Sequence, residues 1–103
     1  MKQCWLRPKA RADRRAELLY YRRKAGSPVA EDFLAAVQNT LAMLAKHPSS
    51  GSARLGQLLQ VEGLRSKRVV GFPLSIWYIE RPDKIEVIRI IGQRQHPQLQ
   101  PLE

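Results

Sequence analysis

The sequence predicts an α+β fold of order β-α-α-β-β-β, with a helical hairpin packed on one face of a small, mainly antiparallel sheet. Three observations predict it. Two long helix-period segments come early and are separated only by "AGSP" at residues 25–28. Three strand-like runs then fill the C-terminal half, rich in β-branched and aromatic residues in the last two. The last two runs flank "RPDK" at residues 81–84, whose central Pro and Asp suit a type I turn and so an antiparallel hairpin. Helices in one block and strands in another segregate into α+β layers rather than a doubly wound sheet.

Each element has its own reason. Residues 2–7, "KQCWLR", read as a short first strand in which Cys4 and Leu6 alternate with Trp5 and Arg7. Pro8 suits a first helical turn, and the chain to about Ala25 is rich in Ala, Arg, Leu and Glu. Ala12, Ala16, Leu19, Tyr20 and Arg23 fall at helical spacing, which predicts a narrow inward stripe with arginines on the other faces. Gly26 then ends this helix in a left-handed position. Ser27 is expected to cap the next, with Pro28 at its first position and Glu31 and Asp32 near the positive dipole end. Ala30, Phe33, Leu34, Val37, Leu41 and Leu44 form the cleanest stripe in the chain, and Pro48 stops the helix after about twenty residues, or ~30 Å. Residues 47–56 read as loop, and "QLLQVEGLR" as either a helical turn or an extended approach to the sheet. The three runs are Leu64 to Val70, Leu74 to Glu80 and Lys84 to Ile91. Strict alternation in the third puts Ile85, Val87, Arg89 and Ile91 on one face and Glu86, Ile88 and Ile90 on the other. Such a strand is central, or has its second face covered by a partner.

The chain has 103 residues, so a single domain over residues 1–103 is expected, with 98–103 a loosely held tail. Lys and Arg number 18 against 9 Asp and Glu, giving a net charge of +9, and twelve of the 18 are arginines. That surface attracts polyanions or acidic proteins. No apolar run approaches the ~20 residues that span a bilayer, and no apolar leader follows Met1, so a cytoplasmic protein without a membrane partner is expected. Cys4 stands alone. It forms no internal disulfide and no metal cluster, and in a strand it is expected to pack rather than react.

The stretch "GLRSKRVVGFPLSIWYIERPDKIEVIRIIGQRQHP", set behind a short strand, an αα-hairpin and a Gly/Ser loop, resembles the ParE branch of the RelE/ParE superfamily of type II toxins. The features are a Gly-Leu-Arg approach to a strand, a Gly-aromatic-Pro corner, an apolar strand carrying Tyr78, an "IEVIRI" strand and a Gln-Arg pair just after it. The resemblance implies a small basic toxin that forms a hetero-oligomer with a cognate acidic, ParD-like antitoxin. In the ParE branch it implies DNA gyrase as target, with DNA reached through gyrase. In the RelE branch it implies ribosome-dependent mRNA cleavage. A third possibility is a non-enzymatic basic binding module of the same fold.

RNA cleavage by 2′-hydroxyl attack needs a base, an acid and cations. Arg68, Arg94 and His96 are the catalytic candidates in that case, with Tyr78 able to donate through its hydroxyl. Arg65 and Arg68, three positions apart on a strand, face opposite sides. Tyr78 reads as a core or rim residue. The resemblance to the RelE branch implies basic or acidic catalytic residues before the first C-terminal strand, where "GQLLQVEG" offers only Glu62, and this departure argues against a nuclease. Gyrase binding demands less local chemistry, and Arg65, Arg68 and Arg94, with His96 at the rim, are the expected contacts. No cofactor, metal or covalent nucleophile is expected. Antitoxin binding is expected on exposed apolar surface near Leu18, Tyr21 or Trp77, as a helix in a groove or a strand on an open edge.

Overall fold

A computed structural model describes residues 2–92 of the chain. The elements are β1 (Gln3–Leu6), α1 (Pro8–Ala25), α2 (Ser27–Lys46), a 3₁₀ turn (Pro48–Ser50), α3 (Arg54–Leu59), β2 (Leu64–Arg68), β3 (Leu74–Glu80) and β4 (Lys84–Gly92). The sheet order is β1-β4-β3-β2, with β1 parallel to β4 and the other two pairs antiparallel. The predicted α+β order is therefore observed, with α3 resolving the ambiguous stretch before β2. Arg94, His96 and the segment 98–103 lie outside the described residues.

Helix α2 follows its sequence period. Ala30 is buried, and Phe33, Val37, Leu41 and Leu44 are buried in one cluster with Leu74, Ile76, Tyr78, Ile85, Val87 and Ile90 of the sheet. Each fully buried side chain of this size stabilises the fold by roughly 1.5–3 kcal/mol. Leu34, placed on the stripe by sequence, is 39% exposed because it sits at the stripe's edge. Gly26, at φ 93, serves as the C-cap of α1 and the N-cap of α2. Ser27 is thus the first residue of α2 rather than its cap, and Glu31 and Asp32 fall beyond the first turn.

Helix α1 departs from its predicted face. Ala12, Ala16 and Leu19 are exposed, and the buried positions are Ala10, Asp13 and Glu17. The reason lies in the strand that α1 borders. β1 covers the edge of β4 only as far as Val87, whose carbonyl takes the Arg7 N–H at 3.0 Å. Beyond that point the edge needs acceptors, and Asp13 supplies one, taking the Ile90 N–H at 3.0 Å. Its carboxylate also accepts two bonds from the Arg89 guanidinium, at 2.7 and 2.9 Å. One turn on, Glu17 is buried against Gly92: a Cβ added there would stand 3.0 Å from its Oε2.

Strand β4 also departs from strict alternation. Its register with β3 shifts between Trp77 and Tyr78: Trp77 pairs with Arg89, but Tyr78 pairs with Val87. Ile88 is the extra residue of a β-bulge, and a bulge reverses the side-chain parity beyond it. Ile90 therefore joins Ile85 and Val87 in the helix-side core, while Arg89 and Ile91 lie on the other face, opposite the sequence assignment.

Candidate functional site

The chemistry-bearing residues fall into three places. The first is the loop after α2. The Tyr78 side chain is fully buried, and its hydroxyl donates to the Pro48 carbonyl at 2.6 Å and accepts the Gly51 N–H at 2.9 Å. Burial pushes the Tyr78 phenol above its ordinary value, only partly offset by the Gly51 N–H. Arg65 faces the same side of the sheet, paired with Tyr78 in register, and donates to the Gly51 carbonyl at 2.8 Å and the Ser49 carbonyl at 3.4 Å. Tyr78 and Arg65 together hold residues 48–51 down. Both were candidates for contact or catalysis by sequence; Tyr78 has its hydroxyl turned inward, whereas Arg65 is half-buried and spends only its Nη1 on the loop.

Arg68 is different. It lies at the end of β2, opposite Ser75 and on the other face from Arg65, as its spacing predicts. It is exposed and makes no hydrogen bond or ion pair with a described residue. With Lys67 it flanks a groove of about 220 Å³ floored by Ala36, Thr40 and Met43 and closed by Val70. Met43 is 47% exposed and Val70 86%, so this is where apolar surface meets positive charge. Leu18 and Tyr21, expected to be exposed, instead pack partly buried against the core. Tyr21 meets Phe33 at 5.3 Å and Phe72 at 5.1 Å, locking both helices to the corner before β3. Trp77 is half-buried on the helix-free face of the sheet. The outer edge of β2 is partly covered: Ser52 and Ser66 exchange bonds at 2.8 and 3.0 Å, and the Leu64 N–H reaches the Val61 carbonyl at 3.3 Å.

The third place is one that sequence reasoning missed. Glu86 sits on the helix-free face with a side chain only 11% exposed. It accepts Nε–H bonds from Arg7 at 2.6 Å and from Arg81 at 2.7 Å. These residues are 74 positions apart in the chain and meet because β1 runs parallel to β4. Two guanidinium bonds hold the Glu86 carboxyl below the ordinary glutamate value of 4.5. A lowered folded value means that the pairing stabilises fully above that ordinary value and is lost as pH falls through the folded one. Urea midpoints of the native protein and Glu86→Gln are therefore expected to differ most near neutrality and to converge below pH 4.5. A gap that persists unchanged at pH 3 contradicts the coupling.

Cys4 is half-buried, its thiol 3.4 Å from the Leu41 carbonyl, and burial pushes its pKa up, consistent with a packed thiol. No group of three or more potential metal ligands occurs among the described residues. No described helix is long and apolar enough to cross a membrane.

The architecture is that of a known class. A chain of the chromosomal ParDE toxin–antitoxin system from P. aeruginosa superposes with a TM-score of 0.74 at 22% identity, covering 89% of this chain and 96% of that one. The shared fold is the four-stranded sheet under a helical hairpin. A family profile described as the ParE toxin of type II toxin–antitoxin systems, parDE, matches residues 6–97. The chain belongs to this ParE toxin family. A search of curated proteins gives no match.

Proposed function

We propose that this ParE-family toxin poisons DNA gyrase in the cytoplasm, trapping it on cleaved DNA, and that a cognate acidic, ParD-like antitoxin neutralises it as a hetero-oligomer. Family membership supports the toxin class. The observation that favours gyrase over mRNA is the burial of Tyr78, whose hydroxyl is committed to the 48–51 loop, which removes one group an RNA-cutting site would draw on. Arg68 and Arg94 are the proposed target contacts, Arg68 because its guanidinium is exposed and unengaged among the described residues, with His96 at the rim. The groove beside Met43 and Val70 suits an acidic amphipathic segment, its charge met by Lys67 and Arg68.

Purified toxin added to gyrase and relaxed plasmid is expected to inhibit supercoiling and accumulate linear DNA. Unchanged supercoiling with codon-linked mRNA cuts after induction would transfer the function to the ribosome. Expression without a growth defect would point to a binding module instead. Among variants, Arg94→Ala is expected to reduce growth arrest more than His96→Ala, and the reverse order with mRNA cleavage overturns the gyrase reading.

A further inference from the structure

We propose that the helix-free face of the sheet carries a contact site for single-stranded nucleic acid, in which Arg7 and Arg81 bind a phosphate and Trp5 stacks on a neighbouring base. The inference goes beyond gyrase poisoning and does not depend on it.

Glu86 fixes both guanidiniums through their Nε–H groups, at 2.6 and 2.7 Å. A guanidinium has five N–H donors, and the remaining Nη donors of each arginine bond no other described residue. Both side chains are 42–43% exposed, whereas that of Glu86 is 11% exposed. A shielded carboxylate thus holds two forks at the surface in fixed orientation and leaves one net positive charge. Planar forks so held are suited to phosphate oxygens, and holding them in advance lowers the ordering cost of binding.

Trp5 supplies the second element. Cys4 and Leu6 pack toward the core, so Trp5 points to the opposite face, directly across from Glu86 in the β1–β4 register. It is 42% exposed, and the Lys84 Nζ sits over one face of its ring, 5.4 Å from the centroid, so a base would stack on the opposite face. An aromatic platform next to fixed cations is the usual equipment for unpaired nucleotides. Trp5, Arg7 and Glu86 lie on neighbouring strands β1 and β4, which sets the aromatic ring and the two forks side by side along an extended surface. An acidic peptide would engage the guanidiniums but gain little from an indole face.

The test is fluorescence anisotropy of a labelled oligothymidylate of about 12 nucleotides, within usual site sizes, titrated with the purified full chain over a range of salt. Arg7→Gln/Arg81→Gln is expected to weaken binding about tenfold. It should also lower the slope of log K against log salt by about 0.7, the signature of one phosphate no longer neutralised on a single strand. Arg22→Gln/Arg23→Gln removes the same charge from the exposed end of α1 and is expected to change affinity less than about twofold. Trp5→Ala is expected to weaken binding about fivefold or more. Equal losses from the two arginine pairs would reduce the effect to bulk charge and overturn the proposal. So would a silent Trp5→Ala. Polyglutamate that binds as tightly, depends on Arg7 and Arg81 and ignores Trp5 would assign the forks to an acidic protein and also overturn it. Circular dichroism checks folding. If the Arg7/Arg81 variant is unfolded, Trp5→Ala alone decides, since an exposed indole can be removed without touching the core.

Discussion

Asp13→Ala is expected to cost about 3 kcal/mol of folding stability, the lower end of what removing one partner of a buried ion pair costs. The Asp13 side chain is 9% exposed and that of Arg89 24%. Deleting the carboxylate leaves the Arg89 guanidinium without its bidentate partner, and the buried Ile90 N–H without an acceptor. Against a total of about 5–15 kcal/mol for a domain of this size, the loss is large. Asp13→Asn keeps an oxygen for Ile90 and is expected to fall between the native protein and the alanine variant. Urea titration followed by circular dichroism measures both, and an unchanged m-value shows that the unfolded reference has not moved. A cost under about 1 kcal/mol would mean that the pair is no stronger than an exposed one.

Gly51→Ala has the second largest expected effect. The backbone there is extended, at φ −78, so the constraint is space rather than conformation. A Cβ would stand 2.8 Å from Cε1 of Tyr78 and 2.9 Å from the Ser66 carbonyl oxygen, and closer still to the Tyr78 hydroxyl. Crowding of this kind costs about 1–3 kcal/mol. Tyr78→Phe is expected to cost about 1–3 kcal/mol by a different route, because the buried Gly51 N–H loses its acceptor. The two changes should not add. Removing the hydroxyl frees room for the alanine methyl, so the double variant is expected to be more stable than the sum of the singles predicts, by about 1 kcal/mol. Thermal or urea unfolding of all four proteins closes the cycle. Strict additivity would show that the loop does not rest on Tyr78.

Where the chain obeyed simple periodicity, the fold was legible. The break at Gly26, the α2 stripe and the turn between Arg81 and Lys84 each follow from local rules, and each is observed. The errors have two physical sources. An amphipathic reading assumes that inward residues are apolar, but α1 turns Asp13 and Glu17 inward because it borders an edge of β4 that needs acceptors. No apolar pattern within α1 carries that information. The parity of Arg89, Ile90 and Ile91 was misassigned because one extra residue, Ile88, interrupts alternation, and nothing local in "EVIRII" marks a bulge. The site was less legible than the fold. Arg65 was correctly placed on the face opposite Arg68, but its engagement with the 48–51 loop depends on tertiary contact. The Arg7–Glu86–Arg81 cluster depends on pairing between the two ends of the chain, which spacing does not reveal.

That pairing also governs the order of assembly. Gln3 lies beside Lys84 and Leu6 beside Val87, so β1 waits for β4 before it has a neighbour in the sheet. β4 also supplies the partner for β3 and the docking edge for α1. Contacts this distant in sequence slow folding, since a long loop must close before they contribute. The helical hairpin can form early from local interactions, but its apolar stripe has no sheet to cover until Ile85, Val87 and Ile90 have been synthesised. The molecule therefore acquires its native surface only once β4 has been made, and a chain that stops short of it carries exposed hairpin rather than folded toxin.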